Sequence, residues 1–268
     1  MLEGKIALIT GGSAGIGLAV AEQLTQAGCK VALVARKQGP LDEAVQRLGA
    51  DKAAAFALDV ADLNAVAALP QRVRDRFGAL DILVNNAGLH HRGRFLAVDA
   101  AQLGDMVTVN LTSPVVLSRA AAPLLRRGGA IVNVASLAGM VPMRNQVTYG
   151  ATKAGLRAFS RALRDELCDQ RITVSVVSPG PVDTGFFDGQ VDEVADIVFS
   201  QPMSTAAEVA KAVLKCIEQG DAELAVPWLS GKLCTLGYVA PAFSRAVRPL
   251  MEKRGKKAKA AFKARKQG

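Results

Sequence analysis

The stretch Ile6-Ala7-Leu8-Ile9-Thr10-Gly11-Gly12-Ser13-Ala14-Gly15-Ile16-Gly17 decides the fold of this chain. A short apolar run predicts a buried strand, and the glycines after it open a helical stretch that ends near Gly28. Each glycine answers a steric need: Gly11 a tight turn, Gly15 close approach of backbone to a bound group, Gly17 close packing of the helix. The free N–H groups at the helix N-terminus then suit a pyrophosphate. The pattern is GxxxGxG, not the commoner GxGxxG, and alone it equally describes a tight turn in some other α/β protein.

Working outward, apolar runs at 5–10, 30–35, 53–58, 81–85, 130–135, 172–178 and 222–226 alternate with amphipathic stretches. This pattern predicts one doubly wound α/β domain of Rossmann type, a seven-stranded parallel sheet with helices on both faces. Ligands then bind beyond the carboxyl ends of the strands, where the winding reverses. Arg36 and Lys37 close the second run, 19 and 20 residues beyond Gly17, where an NAD-binding domain presents a carboxylate to the ribose 2′-hydroxyl. Two cations there suit a 2′-phosphate, hence NADP(H); an exposed strand end carries such charges too. Residues 184–204, with Phe186 and Phe187, read as a long irregular excursion or lid.

The 268 residues allow one large domain. Cys29, Cys168, Cys216 and Cys234 are scattered, without metal-ligand spacing, so no metal and a reducing, cytoplasmic compartment are expected. The net charge of +9 belongs to the tail: residues 245–268 hold ten Lys/Arg against Glu252, while residues 1–244 hold 23 of each sign. The boundaries expected are a catalytic domain over 1–227 and an amphipathic, basic extension over 228–268.

Tyr149 and Lys153 lie four apart in a helical stretch, which puts both on one face. A nearby ammonium favours a phenolate, so the lysine is expected to lower the tyrosine pKa. Such a pair alone is common on surfaces. Here it stands with Ser136 after the fifth run, Asn110 in a helical stretch after the fourth, and Asn85-Asn86-Ala87-Gly88 closing the fourth.

Through TGxxxGIG, NNAG, the set Asn110, Ser136, Tyr149 and Lys153, and Pro179-Gly180 with Thr184, residues 4 to 226 resemble the short-chain dehydrogenase/reductase family in its compact single-domain branch. The resemblance implies that Tyr149 passes a proton to or from the substrate oxygen and that Ser136 hydrogen-bonds that oxygen. It implies that Lys153 tunes the tyrosine and holds the nicotinamide ribose, and that Asn110 anchors a relay water. Gly11, Ser13, Gly15, Ile16 and Gly17 would hold the pyrophosphate end, with Arg36 and Lys37 at the 2′-phosphate. Asp59 and Val60 would meet the adenine, Asn86, Ala87 and Gly88 would line the cleft, and Pro179, Gly180, Val182 and Thr184 would cradle the nicotinamide and phosphates. Many NADP-preferring members carry a base where this chain has Ala14, which leaves the preference to Arg36 and Lys37.

Ala138, Met140, Val141 and Met143 predict an apolar pocket for a small lipophilic alcohol or ketone, although they also suit the packing of a loop. Two readings stand for His90 and His91, reaching the substrate mouth or lying in a solvated loop, and the second is preferred because nothing in the sequence fixes their partners. Leu229, Leu233, Leu236, Ala240, Phe243, Val247 and Leu250 draw an apolar stripe that Pro241 should divide into two short helices. The run from Lys253 to Lys266 is expected to stay unburied and to suit anionic headgroups, making the tail a peripheral membrane anchor; packing of the stripe on the core or on a second subunit is the alternative. Nucleic acid is not expected, for Phe262 is the run's one aromatic. A homodimer or homotetramer is expected. The competing reading is a catalytically idle dinucleotide sensor or scaffold tethered by its tail.

Overall fold

In a computed structural model of the chain, which describes residues 2–185 and 191–267, seven parallel strands form one sheet in the order β3-β2-β1-β4-β5-β6-β7. They are β1 (Ile6–Thr10), β2 (Lys30–Ala35), β3 (Ala53–Ala57), β4 (Ile82–Asn85), β5 (Ala130–Val134), β6 (Thr173–Pro179) and β7 (Glu223–Val226). The seven apolar runs match them to within one residue at each end. Phe186 and Phe187 lie outside the described residues.

The α-helices are α1 (Gly15–Gln26), α2 (Gln38–Leu48), α3 (Leu63–Phe77), α4 (Ala100–Val107), α5 (Ser113–Ala121), α6 (Val147–Glu166), α7 (Ala206–Gln219), α8 (Trp228–Val239) and α9 (Pro241–Gln267). Because side chains alternate along a strand, Ala7 and Ile9 pack with α1, α2 and α7, while Ile6 and Leu8 pack with α3 and α5 on the opposite face. Both faces are covered, which is why β1 is apolar from Ile6 to Ile9 and buried at all five positions, Thr10 included. Each such leucine or isoleucine contributes roughly 1.5–3 kcal/mol.

Two asparagines interrupt the buried strands. Asn85 Nδ2 donates to Asn133 Oδ1 at 2.7 Å and to Ser118 Oγ at 3.1 Å, and Asn133 Nδ2 donates to Ser160 Oγ at 2.7 Å. This ladder ties β4 and β5 to α5 and α6, and α6 carries Tyr149 and Lys153. Winding reverses between β1 and β4, where Thr10 Oγ1 accepts from the backbone N–H groups of Asn86 and Ala87, both at 3.0 Å. The crevice of the fold opens there.

The C-terminal region divides at Ala240, and Pro241 starts α9 at the position where a missing N–H costs nothing. The basic run is exposed over most of its length, as expected, but it is tied to the body of the protein. It continues α9 to Gln267, Phe262 is buried at 6% exposure, and Lys259, Lys263 and Arg265 pair with Asp196, Asp192 and Asp183. The physical reason is the acidic excursion beneath it. The leucine stripe of α8 faces outward, with Leu229 55% and Leu236 48% exposed, because the helix seats its small residues instead. A β-carbon on Gly231 would lie 2.3 Å from that of Ala225. Among the described residues no helix is long and apolar enough to cross a membrane.

Candidate active site

At the head of α1, Gly11 and Gly15 hold φ values of +67° and +54°, conformations that side chains with a β-carbon rarely adopt. A β-carbon on Gly17 would fall 2.1 Å from the carbonyl oxygen of Gly11, so the loop closes only around glycine there. Asn86 Nδ2 fixes the same loop by donating to the carbonyls of Thr10 (3.0 Å) and Gly11 (3.3 Å). The cap residue Ala14 makes no side-chain bond to the first turn of α1, and Ala14, Gly15 and Ile16 there line the crevice.

A cavity of about 900 Å³ runs from this loop across the sheet. Its wall includes Gly11, Ser13, Gly15, Ile16, Arg36, Lys37, Asp59, Val60, Asn86, Ala87 and Gly88 at one end, and Pro179, Gly180, Val182 and Thr184 beside Ser136, Tyr149 and Lys153 at the other. Three of the residues singled out by sequence stand outside the wall: Gly17, Asn110 and Met140, the last of which lies against α8 near Gly231 and not in the expected substrate pocket. Gly17 backs the glycine loop. Asn110, fully buried, accepts from the Leu89 N–H at 2.8 Å and donates to the Leu89 carbonyl at 2.8 Å and to Thr152 Oγ1 at 3.3 Å. It sits in a π-helical turn, Thr108–Thr112, between α4 and α5; such turns recur at functional sites.

The cavity fits a dinucleotide on its own chemistry. Positive-φ glycines admit close backbone approach, the N-terminus of α1 offers donors and partial positive charge, and exposed Arg36 and Lys37 stand at the end of β2. Asp59 shapes the neighbouring turn by accepting from the Ala61 N–H at 2.9 Å.

Ser136 follows β5 and caps the turn Leu137–Gly139 by accepting from the Ala138 N–H at 3.1 Å. That turn touches α6 closely, since a β-carbon on Gly139 would lie 2.6 Å from the backbone carbon of Lys153. Arg157 reinforces the contact, donating to the Gly139 carbonyl at 2.8 Å and to Glu223 of β7 at 2.6 Å. Ser136 is thereby brought within hydrogen-bond reach of the Tyr149 phenol.

Burial pushes the Tyr149 phenol up from its ordinary pKa, against the Ser136 hydrogen bond and the Arg92 guanidinium, which pull it down. Burial also pulls Lys153 down to about 8. Its ammonium donates to the Val134 carbonyl at 2.9 Å and lies 5.9 Å from the centre of the Tyr149 ring. Burial outweighs the pull of Ser136 and Arg92, so the acid form of Tyr149 is the one favoured, with the Lys153 ammonium beside its ring.

Of the two readings of His90, the structure favours the one that brings it to the cavity. Its ring stacks on Tyr149 with centroids 4.1 Å apart and planes 10° from parallel, and burial, with Arg92, His91 and Lys153 nearby, lowers its pKa to about 3. The imidazole is therefore neutral at working pH. Sequence reading ranked the site second for His90 and passed over Arg92, because a loop after β4 carries no periodicity to aim its side chains. The signal available was their place directly after Asn86-Ala87-Gly88.

Comparison with known proteins places these features in company. The family model described as short chain dehydrogenase matches residues 5–195. The 3-oxoacyl-(acyl-carrier-protein) reductase FabG of Vibrio cholerae is 34% identical over 218 residues, covering 79% of this chain and 89% of that protein. The ketoacyl reductase HetN of a Nostoc species is 36% identical over 234 residues, 84% of this chain and 79% of its own. Among solved structures, a Burkholderia cenocepacia short chain dehydrogenase in complex with NADP superposes with a TM-score of 0.77 at 35% identity, covering 84% of this chain and 96% of that one.

Proposed function

This chain belongs to the short-chain dehydrogenase family, and from that premise we propose that it reduces a carbonyl on a lipophilic substrate to a secondary alcohol, using NADPH. The observation that carries the reading is the meeting, in one cavity, of the Ser136–Tyr149 pair with the glycine loop and with Arg36 and Lys37. The nicotinamide, when bound, supplies hydride to the carbonyl carbon. Tyr149, held as the neutral phenol, gives its proton to the oxygen as negative charge develops there. Ser136 donates a second hydrogen bond to that oxygen and orients it. The phenolate left behind is stabilised by the Arg92 guanidinium and the Lys153 ammonium. His90 packs against the phenol ring and keeps water from that face.

Arg36 and Lys37 support NADP(H) over NAD(H), since a guanidinium grips a phosphate with paired, charge-assisted bonds. The NADP bound by the Burkholderia protein supports the same choice. Val141, Met143, Val194 and Val198 on the cavity wall support a lipophilic substrate, and the 3-oxoacyl names of the relatives fall within that class. The test is NADPH oxidation against ketones graded by chain length and ring number. Turnover that rises with apolar length supports the reading; tight NADPH binding without turnover of any carbonyl would identify an idle dinucleotide sensor instead. Peripheral seating on anionic lipid is supported by the exposed stripe of α8, and flotation with anionic liposomes at low salt tests it.

A further inference from the structure

The cavity extends past the reacting oxygen, and its far wall belongs to the last two helices. Leu233 of α8 and Ser244, Val247, Arg248, Met251 and Arg254 of α9 line it. The α9 residues recur at spacings of three and four, or their sum, so they form one stripe along the helix. Val247 and Met251 make its apolar centre and two guanidinium groups stand at its flanks. With the charged groups of the nucleotide end (Arg36, Lys37, Asp59) and Lys153 set aside, the charged residues described on this cavity are Arg92, Arg248 and Arg254 against Glu193. An apolar wall with an excess of positive charge complements a molecule that is both oily and anionic.

The wall is fixed in place. Phe262 of α9 packs at 5.5 Å from Phe199 in a small buried cluster with Val194. Lys259 donates to the carbonyls of Val194 (2.6 Å) and Asp192 (3.0 Å), and Arg265 to Asp183 (2.6 Å). Gly255 presses so closely on the Asp196 carbonyl that a β-carbon would lie 1.8 Å from its oxygen. Arg248 is oriented by Glu252 at 2.7 Å through one N–H, leaving four donors. The family model ends at residue 195, before α9 begins.

Resting on the reading that this cavity reduces a lipophilic carbonyl, we propose that α9 is the element that reads the substrate: Val247 and Met251 receive its apolar chain, and Arg248 and Arg254 receive an anionic group, carboxylate or phosphate, on the same molecule. The test compares kcat/KM for charged and neutral versions of one ketone in two arms. In the first, a long-chain keto acid is set against its methyl ester. In the second, a 3-oxoacyl-coenzyme A is set against the N-acetylcysteamine thioester of the same chain. The full-length protein should prefer the charged member at least about tenfold in one arm, which identifies carboxylate or phosphate, and added salt should erode the preference. The double variant Arg248→Gln, Arg254→Gln should lower that ratio about tenfold through KM, with the NADPH dissociation constant held. Met251→Trp should move the optimum to shorter chains. A ratio near one in both arms, a ratio untouched by the double variant, or a loss of NADPH affinity in that variant overturns the proposal. If no carbonyl in either arm is reduced, the catalytic reading beneath it fails as well.

Discussion

Tyr149 is a phenol that its surroundings keep protonated, and the groups around it divide that work unequally. Replacing it by Phe deletes one hydroxyl and leaves the stack with His90, so folding and NADPH affinity should persist while kcat falls by about 10² to 10⁴. Near-parental kcat in Tyr149→Phe, with a ketone the parent reduces, would end the mechanism. Lys153 offers a check that needs no substrate. Its pKa is lowered on folding, so between about 8 and its ordinary value of 10.5 the unfolded chain binds the extra proton and stability rises with pH. Below about pH 8 the folded protein carries a buried ammonium at full cost. Thermal unfolding of the parent and of Lys153→Met should therefore diverge in the parent's favour from pH 8 to pH 10; parallel curves would mean the ammonium is not buried as described. At the other end of the cavity, Arg36→Asp should shift preference toward NADH by removing a phosphate grip and adding a like charge. A parent that already binds NADH as tightly as NADPH contradicts the assignment before any variant is made.

The elements matter as the frame that brings Ser136 to Tyr149. The polar ladder from Asn85 through Asn133 to Ser160 is buried throughout, so Asn133→Ala takes one hydrogen bond from each of two buried partners, at about 1–3 kcal/mol. Calorimetry should record a melting temperature lower by several degrees, at about 2–4 °C per kcal/mol for a chain of this class, and an unchanged melting point would show the ladder to be replaceable. What sequence could foresee here follows from range. The seven strands and the glycine loop are written in local periodicity and in the steric needs of Gly11, Gly15 and Gly17, so they were readable. Asn110 was readable as a site candidate through its motif, but the π turn that aims it depends on Leu89 and Thr152, which are 21 and 42 residues away. His90 reaches Tyr149 only because α6 and the β4 loop meet in space, and nothing within a dozen residues of His90 states that.

At the scale of the molecule, the C-terminal helix pair is where sequence and structure diverge most. Amphipathic spacing foretold helices and the break at Pro241, yet hydrophobicity alone left open whether the leucine stripe meets a lipid surface or packs on the core or a second subunit. Packing chose Ser230, Gly231 and Cys234, because small residues let α8 lie close to β7. Charge was no surer a guide: ten cations in a row of two dozen residues read as a free arm, but Asp183, Asp192 and Asp196 lie where α9 can answer them. Removing the chain after Glu252 should therefore raise KM for the ketone several-fold by freeing the excursion, and an unaltered KM would show that α9 merely decorates the fold. The strap also makes the protein its own clock for proteolysis. Lys253, Arg254, Lys256 and Lys257 lie exposed on an intact helix, whereas Lys259 and Lys263 are partly covered and bonded to the excursion. Trypsin needs an unwound segment to cut, so nicking in this region counts how often α9 lifts from its seat. A compound lodged beneath α9 should slow the appearance of the shortened chain, turning a gel band into a binding assay.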